Sequence, residues 1–144
     1  MTVSFASRNT PLLEQPVSDR PRCRVLVVED EAMIAMLVED MILDFGSEVV
    51  GPASKIEDAL ALARDVELDA AILDVKVGEA VVFPVADLLR ERGIPFIFAT
   101  GYGSGGLPAR FVGSPTLPKP FSYDLLARAL HVALAGQPCH TEAA

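Results

Sequence analysis

Two acids, Glu29 and Asp30, close the apolar run Val25–Val28, and a third, Asp74, closes a second run, Asp69–Leu73. Thr100 follows a third run, Pro95–Ala99, and Lys119 follows a short one, Pro115–Leu117. Carboxylates held close together repel, and each makes its neighbour harder to ionise. A hard divalent cation such as Mg²⁺ takes oxygen ligands and is commonly held by one or two carboxylates plus phosphate oxygens. Such a cation with one lysine ammonium would balance the three acids. The chemistry this set can do is phosphoryl transfer, in which a carboxylate beside the metal attacks in line and forms an acyl phosphate. The metal and the lysine neutralise the phosphoryl oxygens, which is most of what that reaction asks of a protein. Asp74 stands alone after its run and is the better nucleophile. Glu29 and Asp30 come as a pair suited to holding metal and its waters. The Thr100 hydroxyl can donate to a third phosphoryl oxygen.

Such a site exists only if the chain brings the ends of these runs together. Arg24–Val28 reads as a buried strand, and Glu31–Phe45 carries a helical stripe through Ile34, Leu37, Val38, Met41, Ile42 and Phe45 that Gly46 stops. Glu48–Gly51 is β-like. Ser54, with Glu57 at the capping-box position, predicts the start of the next helix. Asp69–Leu73 is a second buried strand, Val81–Arg92 a helix stopped by Gly93, and Pro95–Ala99 a third buried strand. The glycine-rich segment 101–106 leads into an ill-defined stretch, Leu107–Gly113. Pro115–Leu117 is a brief strand and Ser122–Ala135 an amphipathic helix. Strands alternating with helices imply a parallel sheet covered on both faces. The expected fold is α/β: a flavodoxin-like, doubly wound, five-stranded parallel sheet in the order 2-1-3-4-5, with a short or disordered fourth helix. In that order the ligand crevice lies at the carboxyl ends of strands one and three, where Glu29, Asp30, Asp74, Thr100 and Lys119 would converge.

The bulk properties narrow the function classes. The 144 residues suit one domain, and 51% hydrophobic with 22% charged residues describes a globular chain. A formal charge of −8 argues against a nucleic-acid partner, which needs a basic face. No apolar run approaches the roughly 20 residues of a membrane helix, and the N-terminus lacks a signal pattern, so the expectation is a cytoplasmic protein without a membrane partner. Residues 1–22 read as a flexible leader, 23–136 as the domain and 137–144 as a tail with no room for an output domain. The two cysteines, Cys23 and Cys139, lack zinc-ligand spacing and are expected as free thiols in a reducing compartment; a bridge between the two edges of the domain is the minority reading.

In this order and spacing, VLVVEDE, ILDVKVG, FATGYG and LPKPF resemble the receiver domain of two-component response regulators, over roughly Arg22 to Ala135. PFIFATGYG further resembles the single-domain FAT GUY group. The resemblance implies that Asp74 accepts a phosphoryl group from a sensor histidine kinase or a phosphotransfer protein. It implies Mg²⁺ on Glu29, Asp30, Asp74 and the backbone carbonyl of Lys76, with Thr100 and Lys119 on the phosphoryl oxygens. It also implies a cis Lys119–Pro120 bond, and output through an unknown protein partner or service as a phosphate sink or shuttle. The chain would catalyse its own phosphorylation and lose phosphate by hydrolysis, without being a conventional enzyme. Many receivers carry Tyr or Phe on strand five, three residues before the lysine; here that residue is Thr116. The usual Thr–aromatic switch cannot operate in that form, and the loop 101–106 with the weak fourth helix is expected to reorder instead. Tyr102 in that loop reads as a recognition residue or as loop packing. The Lys76 side chain either influences water attack on the acyl phosphate or is a solvated loop lysine.

Rival readings stay in view. Acids at strand ends also occur as solvated caps, and Glu29 and Asp30 alone would not separate the two readings; Asp74 and Lys119 at matching strand ends favour the site. Glu31 reads as a first-turn residue favoured by the helix dipole. His131 reads as surface or filler, and His140 carries no signal. A receiver-like docking module that is not phosphorylated is the main alternative. A mononucleotide enzyme would need a phosphate loop after the first strand, where the chain has acids.

Overall fold

β1 (Arg24–Val28) holds four successive branched apolar residues, the composition of a strand buried on both faces. The computed structural model describes residues 21–101 and 106–141. After β1 come α1 (Ala32–Asp44), β2 (Glu48–Ala53), α2 (Ile56–Asp65) and β3 (Ala70–Asp74). A small hairpin, β4 (Lys76–Val77) and β5 (Ala80–Val81), precedes α3 (Phe83–Glu91) and β6 (Phe96–Thr100). A 3₁₀ turn (Ala109–Phe111), β7 (Thr116–Pro118) and α4 (Tyr123–Leu134) complete the order. The main sheet runs β2-β1-β3-β6-β7, parallel throughout. Counted within that sheet the order is 2-1-3-4-5, the doubly wound arrangement expected, and the 3₁₀ turn is the short fourth helix.

The two-residue period of the strands divides the core. Leu26, Val28, Ala71, Leu73, Phe96 and Phe98 face α2, α3 and Phe111. Val25, Val27, Ala70, Ile72, Ile97 and Leu117 face α1 and α4 through Val38, Ile42, Leu126 and Leu130. With both faces covered, the sheet leaves its carboxyl-end loops as the place where polar side chains meet.

One irregularity ties the first site residue to the edge strand. β1 pairs with β2 at Leu26–Val50 and resumes at Val28–Ala53, so β2 carries an extra residue. Gly51 makes this possible: its φ is +94°, and a Cβ there would stand 2.7 Å from the Ala53 nitrogen and 3.1 Å from the Val27 oxygen. The bulge delivers the Ala53 carbonyl to the Glu29 N–H at 3.0 Å, anchoring the first site residue. It also lengthens β2 beyond its expected end at Gly51. The next helix therefore begins at Ile56 with Lys55 as N-cap and no side-chain cap, so the Ser54–Glu57 capping box does not form.

Other local expectations also shift. Val81 belongs to the β4–β5 hairpin rather than to a helix; Gly78 at φ +62° turns the hairpin, and Pro84 in the first turn starts α3 at Phe83. Glu31 is the N-cap of α1, not a first-turn residue. The Lys119–Pro120 bond is cis, as expected, and Gly51–Pro52 is cis as well.

The cysteines overturn their expectation: Cys23 and Cys139 form a disulfide across a sequence separation of 116. After Gly136 the chain turns back and lays His140 beside Arg22 in a parallel bridge, which carries Cys139 to the foot of β1. No helix among the described residues is long and apolar enough to cross a membrane.

Candidate functional site

Each candidate side chain is set by the end of a strand. Asp74 is the last residue of β3, and Thr100 the last of β6; both are buried. Glu29 follows β1 and is 4% exposed, whereas Asp30 beside it is exposed. Lys119 follows β7, and its N–H donates to the Thr100 carbonyl at 3.0 Å, which extends the β6–β7 ladder into the site. The lysine ammonium reaches both buried acids, at 3.0 Å from Glu29 Oε1 and 3.1 Å from Asp74 Oδ2. The other Glu29 oxygen accepts the Glu31 N–H at 3.1 Å. An Asp30 oxygen accepts the Gly78 N–H at 2.9 Å, tying the start of α1 to the β4–β5 turn.

Burial pushes the Glu29 carboxyl above its ordinary range, with the nearby Asp74 charge adding to the shift; the Glu31 N–H and the Lys119 ammonium offset only part of it. Burial alone would pull the Lys119 ammonium down. Hydrogen bonds and charge from Glu29 and Asp74 more than reverse that, so lysine stays protonated above its ordinary range.

Glu29, Asp30 and Asp74 each place a carboxylate oxygen within 4.8 Å of the others. Three hard oxygen donors of this kind fit a hard divalent cation and do not fit zinc or copper preferences. Above them opens a cleft of about 510 Å³, lined by Asp30, Asp74, Lys76, Phe83, Thr100 and Lys119 among others. Glu29 lies beneath, behind the lysine. The arrangement therefore presents one buried carboxylate, one cation and one hydroxyl-bearing strand end to a space large enough for a phosphoryl group.

No family model matches the sequence. SdrG from Sphingomonas melonis Fr1 is similar over 78% of this chain and 97% of its own, with 42% identity and a TM-score of 0.70. The chain belongs to the receiver-domain family of response regulators. A second SdrG structure, of its BeF3-activated conformation, superposes with a TM-score of 0.67 at 41% identity, over 79% of this chain and 98% of that one. The receiver is also 34% identical over 116 residues to the transcriptional regulatory protein PdtaR of Mycobacterium tuberculosis, covering 78% of this chain. Its match to the phyllosphere-induced regulator PhyR of Methylorubrum extorquens is 33% over 91 residues, or 61% of this chain. The receiver spans 57% of the length of PdtaR and 32% of PhyR.

The receiver fold gathers Glu29, Asp30, Asp74, Thr100 and Lys119 around one cleft. Lys76 also lines it, with an exposed side chain on β4. Thr116 does not reach it: the residue sits half-buried on β7 in register with Phe98. Tyr102 lies outside the described residues. His131 is exposed on α4, away from the acids.

Two contributors escaped the sequence reading. The Gly78 amide requires a hairpin two residues past the nucleophile, and only the glycine hinted at it. Phe83 lines the cleft and stacks on Phe111 with centroids 5.7 Å apart, linking the site to the 3₁₀ turn. Phe96 and Phe98 complete this aromatic cluster. The four phenylalanines stand on three separate elements, and only Phe96 and Phe98, alternating along β6, share a local spacing, so the cluster as a whole could not be read from the sequence.

Proposed function

We propose that this receiver accepts a phosphoryl group on Asp74 from the phosphohistidine of a sensor histidine kinase or phosphotransfer protein, with Mg²⁺, in the cytoplasm. An Asp74 oxygen attacks phosphorus as the P–N bond to the donor imidazole breaks, leaving an acyl phosphate on the receiver. Asp30 and Glu29, with Asp74 and the Lys76 carbonyl, are the residues that would hold the cation. When bound, Mg²⁺ would supply charge neutralisation for the phosphoryl oxygens. Lys119 exchanges its contact with Asp74 for a phosphoryl oxygen, and Thr100 donates its hydroxyl to another. Phosphorylation then changes the surface near β6 and β7, through which the receiver signals to a protein partner or serves as a phosphate sink or shuttle. With Thr116 in the usual aromatic position, the segment after β6 carries that change.

The observation that carries this reading is the Lys119 ammonium, 3.1 Å from a buried Asp74 that shares a 4.8 Å cluster with Glu29 and Asp30. The BeF3-activated conformation of the relative SdrG supports it. The test is intact mass after incubation with acetyl phosphate, with and without Mg²⁺, on wild type and Asp74→Ala. A Mg²⁺-dependent gain of one phosphoryl group, absent from Asp74→Ala, is expected. No gain, together with no Mg²⁺-dependent beryllofluoride binding, would overturn the proposal in favour of a docking module that is not phosphorylated.

A further inference from the structure

At the opposite end of β1 from Glu29, the two cysteines close a second constellation. Cys23 stands one residue before β1, is 1% exposed, and is held by backbone on both sides. Its N–H donates to the His140 carbonyl at 3.0 Å, and its carbonyl accepts the Glu48 N–H at 2.7 Å. Cys139 lies past the end of α4 on a turn-back segment and is partly exposed. An Asp69 carboxylate oxygen lies within 4.8 Å of both sulfurs, and that carboxylate also accepts the Arg24 N–H at 2.8 Å. We propose that Cys139–Cys23 is a reversible thiol–disulfide exchange site for a dithiol reductant, and that its redox state decides whether the segment 137–141 is docked or released.

The asymmetry of burial sets the chemistry. An incoming thiolate reaches the Cys139 sulfur and forms a mixed disulfide. The S–S bond breaks, its electron pair goes to the Cys23 sulfur, and that sulfur takes up a proton. The second thiol of the reductant then attacks its own sulfur in the mixed disulfide and releases Cys139 as a thiol. The protein disulfide gains two electrons and two protons, and the dithiol becomes a disulfide. The Asp69 carboxylate opposes a thiolate at either sulfur, so the leaving group is a poor one and exchange is gated. A carboxamide at residue 69 removes that opposition.

Release follows from what remains once the bond is cut. Segment 137–141 is then held by the packing of the partly buried Cys139 side chain on the core, the backbone pair between His140 and residues 21–23, the Gln137 N–H to Leu134, and the Thr141 hydroxyl on the Phe45 carbonyl. A net hydrogen bond contributes less than the entropy lost in ordering one residue, so a handful of bonds does not hold five residues. The cross-link acts by removing the alternative states. In the cytoplasm, the location proposed above, disulfides of ordinary organisms are mostly transient or redox-sensing, which fits a latch better than a staple. This inference does not rest on the phosphotransfer reading, because the disulfide and Asp74 lie at opposite ends of the sheet.

The experiment uses the full chain in its oxidised form. Glutathione is added as a monothiol probe, the reaction is quenched with iodoacetamide, and the adducts are mapped by peptide mass. Glutathione on Cys139 and iodoacetamide on Cys23 are expected; the reverse assignment overturns the proposal. Amide exchange is then compared before and after reduction with dithiothreitol. Protection of the Cys23 and His140 amides is expected to fall by about tenfold or more, with Val75 and Lys119 unchanged. Unchanged protection at His140, loss of protection throughout the domain, or a disulfide that dithiothreitol leaves intact would each show a structural staple instead. Asp69→Asn is expected to speed the first exchange step and to lower the Cys23 thiol pKa in the reduced protein. An unaltered pH profile would remove Asp69 from the site. Phosphoryl uptake by the oxidised and reduced forms is expected to be equal.

Discussion

Replacing Lys119 by Gln removes the cation that sits between two buried acids. Its ammonium is 3.0 Å from Glu29 and 3.1 Å from Asp74. At an effective dielectric of about 20, each such pair attracts by roughly 5.5 kcal/mol before desolvation is counted. Glu29 and Asp74 oxygens less than 4.8 Å apart repel by about 3.5 kcal/mol or more on the same scale. Without the lysine that repulsion is unopposed, and the folded protein escapes it by protonating one acid. Glu29 is the one to take the proton, because its burial already favours the neutral form. Holding that proton near pH 7, well above the ordinary carboxyl range, itself costs on the order of 3 kcal/mol. Repulsion and protonation thus agree on a loss of about 3 kcal/mol near neutrality, in the range for breaking a buried pair. The sign with pH is definite. A carboxyl whose folded pKa is raised contributes its stability below the unfolded value, and that contribution is lost as pH rises through the folded pKa. The deficit of Lys119→Gln is therefore expected to be smaller near pH 5 than near pH 7. Urea unfolding followed by circular dichroism at a series of pH values measures it. A deficit equal at both ends of that range would mean lost packing, and no deficit at all would refute the electrostatic account.

Other consequences can be checked independently. Asp30→Asn keeps an acceptor for the Gly78 N–H but removes one charge from the proposed metal cluster; Mg²⁺ affinity by calorimetry should fall about tenfold or more, with thermal stability unchanged. Phe111 is fully buried with ring centroids 5.3 Å from Phe98 and 5.8 Å from Phe96, so Phe111→Ala should cost about 3–5 kcal/mol in urea unfolding. A smaller loss would mean that the 3₁₀ turn is not anchored through this ring. Arg110 hydrogen bonds hold the Asp87 carboxyl below its ordinary 3.8, so the stability of this pair is present above that value and lost as pH falls through the folded pKa. The Arg110 side-chain resonances should shift across that window in the wild type and stay put in Asp87→Asn.

The architecture was legible in the sequence because its signals are local. Apolar runs such as Val25–Val28 and Ala70–Leu73 declare buried strands over a few residues, and alternation with helical stripes leaves a doubly wound sheet as the consistent answer. Strand ends then name Glu29, Asp30, Asp74, Thr100 and Lys119, because in a parallel sheet every carboxyl end lies on one edge. Distances between strands are another matter. That Lys119 bonds both Glu29 and Asp74 depends on how β1, β3, β6 and β7 register against one another, while the Glu29 backbone is tied to β2 through a bulge that Gly51 permits. The Ser54 cap and the early start of the third helix failed for the same kind of reason: an extended β2 and the Lys76–Val81 hairpin claimed residues whose local pattern allowed either state. Phe83, Phe96, Phe98 and Phe111 meet only once α3, β6 and the 3₁₀ turn are packed. The disulfide is the extreme case. Nothing within a few residues of Cys23 or Cys139 announces the partner, because closing a loop of that length is decided by where the sheet and its last helix deliver the two ends of the chain.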